Sequence, residues 1–135
     1  MNDEQRMVHD FHERFGLVRH ARPTWPGKDV HRLRTLLIEE ELAEFRNAGE
    51  AGDLVGIADA LADLLYVVYG AAVEAGIDLE PVFAEIHRSN MSKGDVARCP
   101  RRPDGKVLKG PGYEPPRVRE VLARQLERPA AVATG

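Results

Sequence analysis

A single cysteine, Cys99, stands among 135 residues. That excludes an intramolecular disulfide framework and any cysteine-rich zinc site. Its neighbours Pro100 and Arg101 form no redox motif. Positive charge is not in surplus: the formal net charge is −3 and the isoelectric point about 6.0. This gives no general attraction to a nucleic acid polymer or an anionic membrane. No Walker-type G-x-x-x-x-G-K-[ST] loop occurs, so a P-loop NTPase is excluded. No Glu-x-x-His motif occurs on the acidic helices, which argues against a ferritin-like di-iron bundle; His9, His12, His20 and His87 are scattered and expected at surface or capping positions. There is no repeat and no low-complexity tract. The acidic start, with Asp3 and Glu4 and no apolar run, predicts no secretory leader. The longest apolar stretch, residues 54–75, is interrupted by Asp59 and Asp63, so a membrane span is not expected.

The hydrophobic content of 43% beside 30% charged residues is ordinary for a folded soluble protein. One domain over residues 1–128, long enough to bury a core, followed by a frayed tail at 129–135, is the expected organisation, in a cytoplasmic setting. Met7, Val8, Phe11 and Phe15 recur at helical spacing and predict a first helix over 3–15, with Gly16 as its stop. Residues 21–27, with Pro23, Trp25, Pro26 and Gly27, read as a loop. Trp25 is expected to pack locally, the alternative being the wall of a base pocket. A second helix over 30–48 has Asp29 as its expected cap. A third over 53–75 has Asp53, and a fourth over 79–91 has Asp78. The segment 94–116 is rich in Gly, Pro, Lys and Arg; Asp104-Gly105 marks a turn, with a short hairpin through Val107 and Leu108. A last helix is expected over 116–126. The fold class is all-α: a helical bundle of four to five helices with a basic Gly/Pro-rich C-terminal loop. The third helix is apolar on every side and must be covered on every side. A homo-oligomer, dimer or tetramer, follows from that. Gly56 and Gly70 would let another helix approach closely.

Acid residues break these apolar patterns at one place. At about 100° per residue, Val30, Leu33, Leu37, Glu40, Glu41, Glu44 and Ala48 share one arc. The stripe that should face the core turns into carboxylates without leaving that face. Glu39 lies off the arc and reads as solvated. Asp59 and Asp63, one turn apart on the third helix, are neighbours on one side. Such carboxylates inside a bundle repel unless something positive lies between them, and the third helix carries no Lys or Arg. Glu40, Glu41, Glu44, Asp59 and Asp63 are therefore the expected ligands of a hard divalent cation, Mg²⁺ or else Mn²⁺. Downstream, Lys93, Lys106 and Lys109 are suited to phosphate charge that the metal leaves unneutralised.

These residues also fall into motifs. Glu40-Glu41-Leu42-Ala43-Glu44 resembles the EExxE signature of the MazG-like all-α NTP pyrophosphohydrolases. Asp59-Ala60-Leu61-Ala62-Asp63 is similar to their second acidic motif. Ser89-Asn90-Met91-Ser92-Lys93 and Asp104-Gly105-Lys106-Val107-Leu108-Lys109-Gly110 resemble the phosphoribosyl-ATP pyrophosphohydrolase-like branch. The resemblance implies an oligomeric helical bundle that hydrolyses nucleoside triphosphates to the monophosphate and pyrophosphate with Mg²⁺. It implies catalytic or ligand roles for Glu40, Glu41, Glu44 and Asp63, and nucleotide contacts for Asn90, Lys93, Lys106 and Lys109. The second motif departs from the family's Glu-x-x-Asp, because Ala60 stands three before Asp63; Asp59 is expected to replace the missing glutamate. A housecleaning substrate such as dUTP or an abnormal nucleotide is implied by resemblance alone. The contrasting expectation is a non-catalytic nucleotide- or metal-sensing module.

Overall fold

In the computed structural model, residues 1–129 are described, and five helices form among them: α1 (Asp3–Arg14), α2 (Lys28–Glu50), α3 (Leu54–Glu74), α4 (Leu79–Met91) and α5 (Val118–Glu127). The expected tail lies, except for Pro129, outside the described residues. Local chemistry accounts for most boundaries. Asn2 caps α1 by accepting from the Gln5 amide at 2.9 Å, and Gly16 leaves the helix at φ 64. Asp53 caps α3 through the Gly56 amide at 3.0 Å, and Asp78 caps α4 through the Glu80 amide at 3.2 Å. Each satisfies a first-turn N–H that has no helical partner.

Two expected starts shift. α2 begins at Lys28 behind Gly27 at φ 98, so Asp29 lies in the first turn and is not the cap. The Pro26-Gly27 break sets the start, and Asp29 instead complements the helix dipole. α5 begins at Val118, after Pro115-Pro116, with Arg117 as its N-terminal flank and the Arg117 amide donating to Glu85 Oε1 at 2.8 Å. The hairpin expected through Val107 and Leu108 is reduced to one bridge, Arg101 with Val107, around the Asp104-Gly105 turn. In it the Arg102 amide donates to Lys106 O and the Leu108 amide to Pro100 O, both at 2.8 Å.

α2 and α3, joined by the Ala51–Asp53 turn, make the most extensive contact, α1 packs on α3, and α4 pairs with α5. Two buried glutamines stitch the pair to the three-helix unit at the corner between α3 and α4. Gln5 donates to Ile77 O at 2.7 Å and accepts from the Leu79 amide at 3.0 Å. Gln125 accepts from the Asp78 amide at 2.9 Å and donates to Asp78 O at 2.8 Å.

The core of one chain is thinner than its length predicts. The buried apolar residues among those described are Val8, Ala60, Ala72, Val73 and Val121. Leu54, Val55 and Phe83 are 76%, 81% and 71% exposed. For Leu54 and Val55 the reason is α3 itself: apolar all round, its main contacts among the described residues are with α2 and α1; Phe83 lies on α4. Trp25 does not pack into a core either, being 64% exposed with its ring against His31 at 5.2 Å.

Candidate active site

Helical spacing on α2 sets Glu41 and Glu44 on the face that meets α3, and α3 answers with Asp63. One carboxylate oxygen of each lies within 4.8 Å of the other two, close enough to share an ion. Glu41 is half-buried, and its Oε2 is out of contact with solvent and has no hydrogen-bond partner. A buried acceptor without a donor is costly, and a carboxylate oxygen left this way is what a cation would satisfy. Desolvation pushes the Glu41 carboxyl above its usual range, and the charges of Glu44, Asp63, Glu40 and Asp59 push it the same way. Glu40 and Asp59 are thus within electrostatic reach of Glu41 but outside the trio. Glu39 is exposed, in keeping with a solvated role.

The other expected contacts lie elsewhere in the chain. Asn90 is exposed on the last turn of α4. Lys93 follows that helix, its carbonyl accepting from the Gly110 amide at 3.0 Å. Lys106 follows the Asp104-Gly105 turn, and Lys109 sits with its ammonium 4.8 Å from the centre of the Tyr113 ring. Among the described residues, no hydrogen bond or ion pair joins these side chains to the carboxylates, and none of the four lysine or asparagine side chains is in an ion pair. The loop that carries them is nevertheless held firmly at its base. Ser89 Oγ donates to Glu114 O at 2.7 Å, and the Glu114 amide donates to Ser92 Oγ at 2.8 Å. Arg88 bonds Glu85 at 2.7 and 2.9 Å and Glu114 at 3.0 Å. These Arg88 bonds, with the Arg117 amide, hold the Glu85 carboxyl down to about 2.

Two features escaped the pattern of the sequence. The first is the buried ion pair of Arg34 on α2 with Glu74 at the end of α3. Periodicity shows that Arg34 neighbours the apolar arc, but nothing in it names a partner forty residues on. The second is His12, expected near the surface and found buried, with Nδ1 bonded to Val18 O at 2.9 Å. The pair also floors a cavity of about 600 Å³ walled by Pro23, Trp25, Pro26 and His31. His9, Asp10 and Glu13 form a second group of closely spaced ligand-type atoms on α1, where Glu13 already pairs with Arg19 at 3.4 Å.

An all-α protein with facing acidic helices and a fixed basic loop has the parts of a metal-compatible phosphoanhydride hydrolase. The profile of the phosphoribosyl-ATP pyrophosphohydrolase family matches residues 8–90, more than half of the chain, and the chain belongs to that family of pyrophosphohydrolases. No curated protein matches it.

Proposed function

We infer that the protein is a Mg²⁺-dependent pyrophosphohydrolase that cleaves the α–β anhydride of a nucleoside triphosphate, releasing pyrophosphate and a nucleoside monophosphate. The observation that carries this is the orphaned Glu41 oxygen inside a carboxylate trio, in a chain of this family. Glu41, Glu44 and Asp63 would hold the ion, with Glu40 and Asp59 completing the acidic surround. Bound there, Mg²⁺ would neutralise phosphate charge and make a bound water more acidic. Mn²⁺ has the same ligand preferences and would substitute.

A glutamate of the acidic surround would take the proton of the attacking water. Water oxygen bonds to the α-phosphorus as the bond to the bridging oxygen breaks, and that oxygen leaves on pyrophosphate. Lys93, Lys106 and Lys109 stabilise the charge that develops there, and Asn90 offers hydrogen bonds to the nucleotide. The Trp25–His31 cavity is walled mainly by apolar residues over the Arg34–Glu74 pair, and lies about two turns or more before Glu41 along α2. At 1.5 Å per residue Arg34 to Glu41 spans roughly 10 Å, the scale of a nucleotide. The nucleoside end is proposed to lie in that direction.

Because no hydrogen bond or ion pair joins the basic loop to the carboxylates among the described residues, a second copy is proposed to bring them together. The uncovered apolar surface of α3 supports that assembly, and a homodimer or homotetramer in a cytoplasmic setting is proposed. α3 is long and apolar enough to cross a membrane by length and composition, but Asp59 and Asp63 in its middle argue against a span. A pyrophosphate-release assay tests the reading, run on phosphoribosyl-ATP, dUTP and the common nucleoside triphosphates, with Mg²⁺ and with chelator. Release from at least one substrate, abolished by chelator, is expected. Binding without release from any would instead favour a sensor module, the reading kept open by Ala60 at the family's glutamate position.

A further inference from the structure

We propose that Arg34 and Glu74 are positioning residues: their buried fork fixes the register of α2 against α3, and so brings Glu41 and Glu44 opposite Asp63. This rests on reading the trio as a metal site.

The two side chains keep 9% and 8% of their surface. Arg34 Nε donates to Glu74 Oε2 at 3.2 Å, Nη2 donates to Oε1, and Nη1 reaches Val67 O at 3.4 Å. Among the described residues, every side-chain hydrogen bond joining α2 to α3 is made by Arg34. Apart from its acids, the α3 side is largely Leu, Val, Ile, Ala and Gly. Such packing sets which faces meet but leaves small shifts between the helices weakly opposed, because uniqueness of packing is lost before stability is. A planar fork fits one geometry only, and a buried polar pair is best attested as a device for register.

Glycine makes room for it. A Cβ at Gly70 would stand 2.7 Å from Arg34 Cζ, so no other residue fits while the guanidinium stays in place. At the turn end of the same helix pair, a Cβ at Gly56 would stand 3.1 Å from Ala48 Cβ, another close approach. Between the two ends lie the carboxylates. From Glu44 back to Arg34 is ten residues on α2, and from Asp63 forward to Glu74 is eleven on α3, as antiparallel helices in one register require. A slip of one residue turns a helix by about 100° and would carry the acids off their shared face. Glu41, Glu44 and Asp63 repel one another when no cation lies between them. Their alignment works against their own charges, and the fork opposes that from the far end of the hairpin.

The test measures Mn²⁺ binding alone, without nucleotide, so that any contact of Arg34 with substrate plays no part. Replacing both partners by apolar residues, Arg34→Met with Glu74→Met, removes the fork without leaving a lone buried charge. The expected result is a folded protein by helical circular dichroism and thermal melting, with Mn²⁺ affinity at least about tenfold weaker. The charge-swapped pair, Arg34→Glu with Glu74→Arg, should recover affinity to within about threefold of the parent. Unchanged Mn²⁺ affinity in the folded double variant overturns the proposal and leaves the pair a stability element. If the double variant does not fold, Gly70→Ala and Arg34→Lys carry the same test, since each disturbs the fork and changes no carboxylate. Unchanged affinity in both overturns it equally. A parent that binds no Mn²⁺, or a Glu41→Gln variant that binds it as the parent does, marks failure of the site itself, and the positioning role falls with it.

Discussion

Glu41 and Glu85 are the same residue on two helices, and their surroundings drive them in opposite directions. Glu85 receives two nitrogens of Arg88 and the amide of Arg117, and its carboxyl is held down to about 2. Glu41 receives no donor, faces four further acids, and is pushed up by desolvation first and by those charges next. Around Glu85 the charges are paired; around Glu41 they are gathered and unpaired. Paired charge is what fastening a loop requires. Charge gathered at a cost and left unpaired marks a place where a partner from outside the chain is expected. The difference separates a carboxylate that fastens the loop from one proposed to hold an ion, where composition cannot.

The sharpest way to break that comparison is to neutralise each side in turn. Glu41→Gln, Glu44→Gln or Asp63→Asn should lower pyrophosphate release by about a thousandfold, the scale seen when preorganised charge is removed from a reacting centre. Asp59→Asn should cost much less, since Asp59 lies outside the trio. Equal losses at Asp59 and Asp63 would show that Asp59 stands in for the family's glutamate. Glu85→Gln should leave kcat nearly unchanged and act on the loop.

Next in size is stability. Glu74→Gln leaves Arg34 buried with a weaker partner, and removing one side of a buried pair costs about 3–5 kcal/mol. Chemical denaturation should therefore show most of the fold's margin lost. A midpoint unchanged from the parent would mean that the guanidinium finds water.

The pH dependence should then differ in sign between the two glutamates. The Glu85 carboxyl is lowered from the ordinary 4.5 to about 2. Its contribution is therefore complete above pH 4.5 and lost as pH falls from there toward 2. The gap in melting midpoint between parent and Glu85→Gln should close over that range. Glu41 is raised above 4.5. In metal-free protein its ionisation is thus a liability that grows as pH rises through 4.5, and Glu41→Gln should gain on the parent in the same direction. Parallel slopes for the two variants would remove the distinction drawn between the sites.

The smallest effects belong to the lysines. Lys93→Ala, Lys106→Ala or Lys109→Ala should each raise KM several-fold, with melting midpoint and metal response unchanged. Exposed charges act on phosphate through a screened field, each worth on the order of 1 kcal/mol or less. An unfolded lysine variant would show that the residue holds the loop rather than the phosphates.

Much of this was legible in the chain itself. Periodicity and the capping chemistry of Asp53 and Asp78 determined the helices, because a helix end and a helix face depend on neighbours three or four residues away. The same locality put Glu41 and Glu44 on one arc and marked Asp63 as an acid in an apolar setting. What lay beyond was set by residues distant in sequence. That Arg34 finds Glu74, that His12 is buried, and that Trp25 stays exposed depend on how α1, α2 and α3 pack, which no local spacing encodes. Likewise Asp59 and Asp63 look equivalent along one helix, one turn apart. Only the approach of α2 decides which of them comes within reach of Glu41 and Glu44, because an ion's reach is a few ångströms and the rotation of each helix about its axis is fixed by packing.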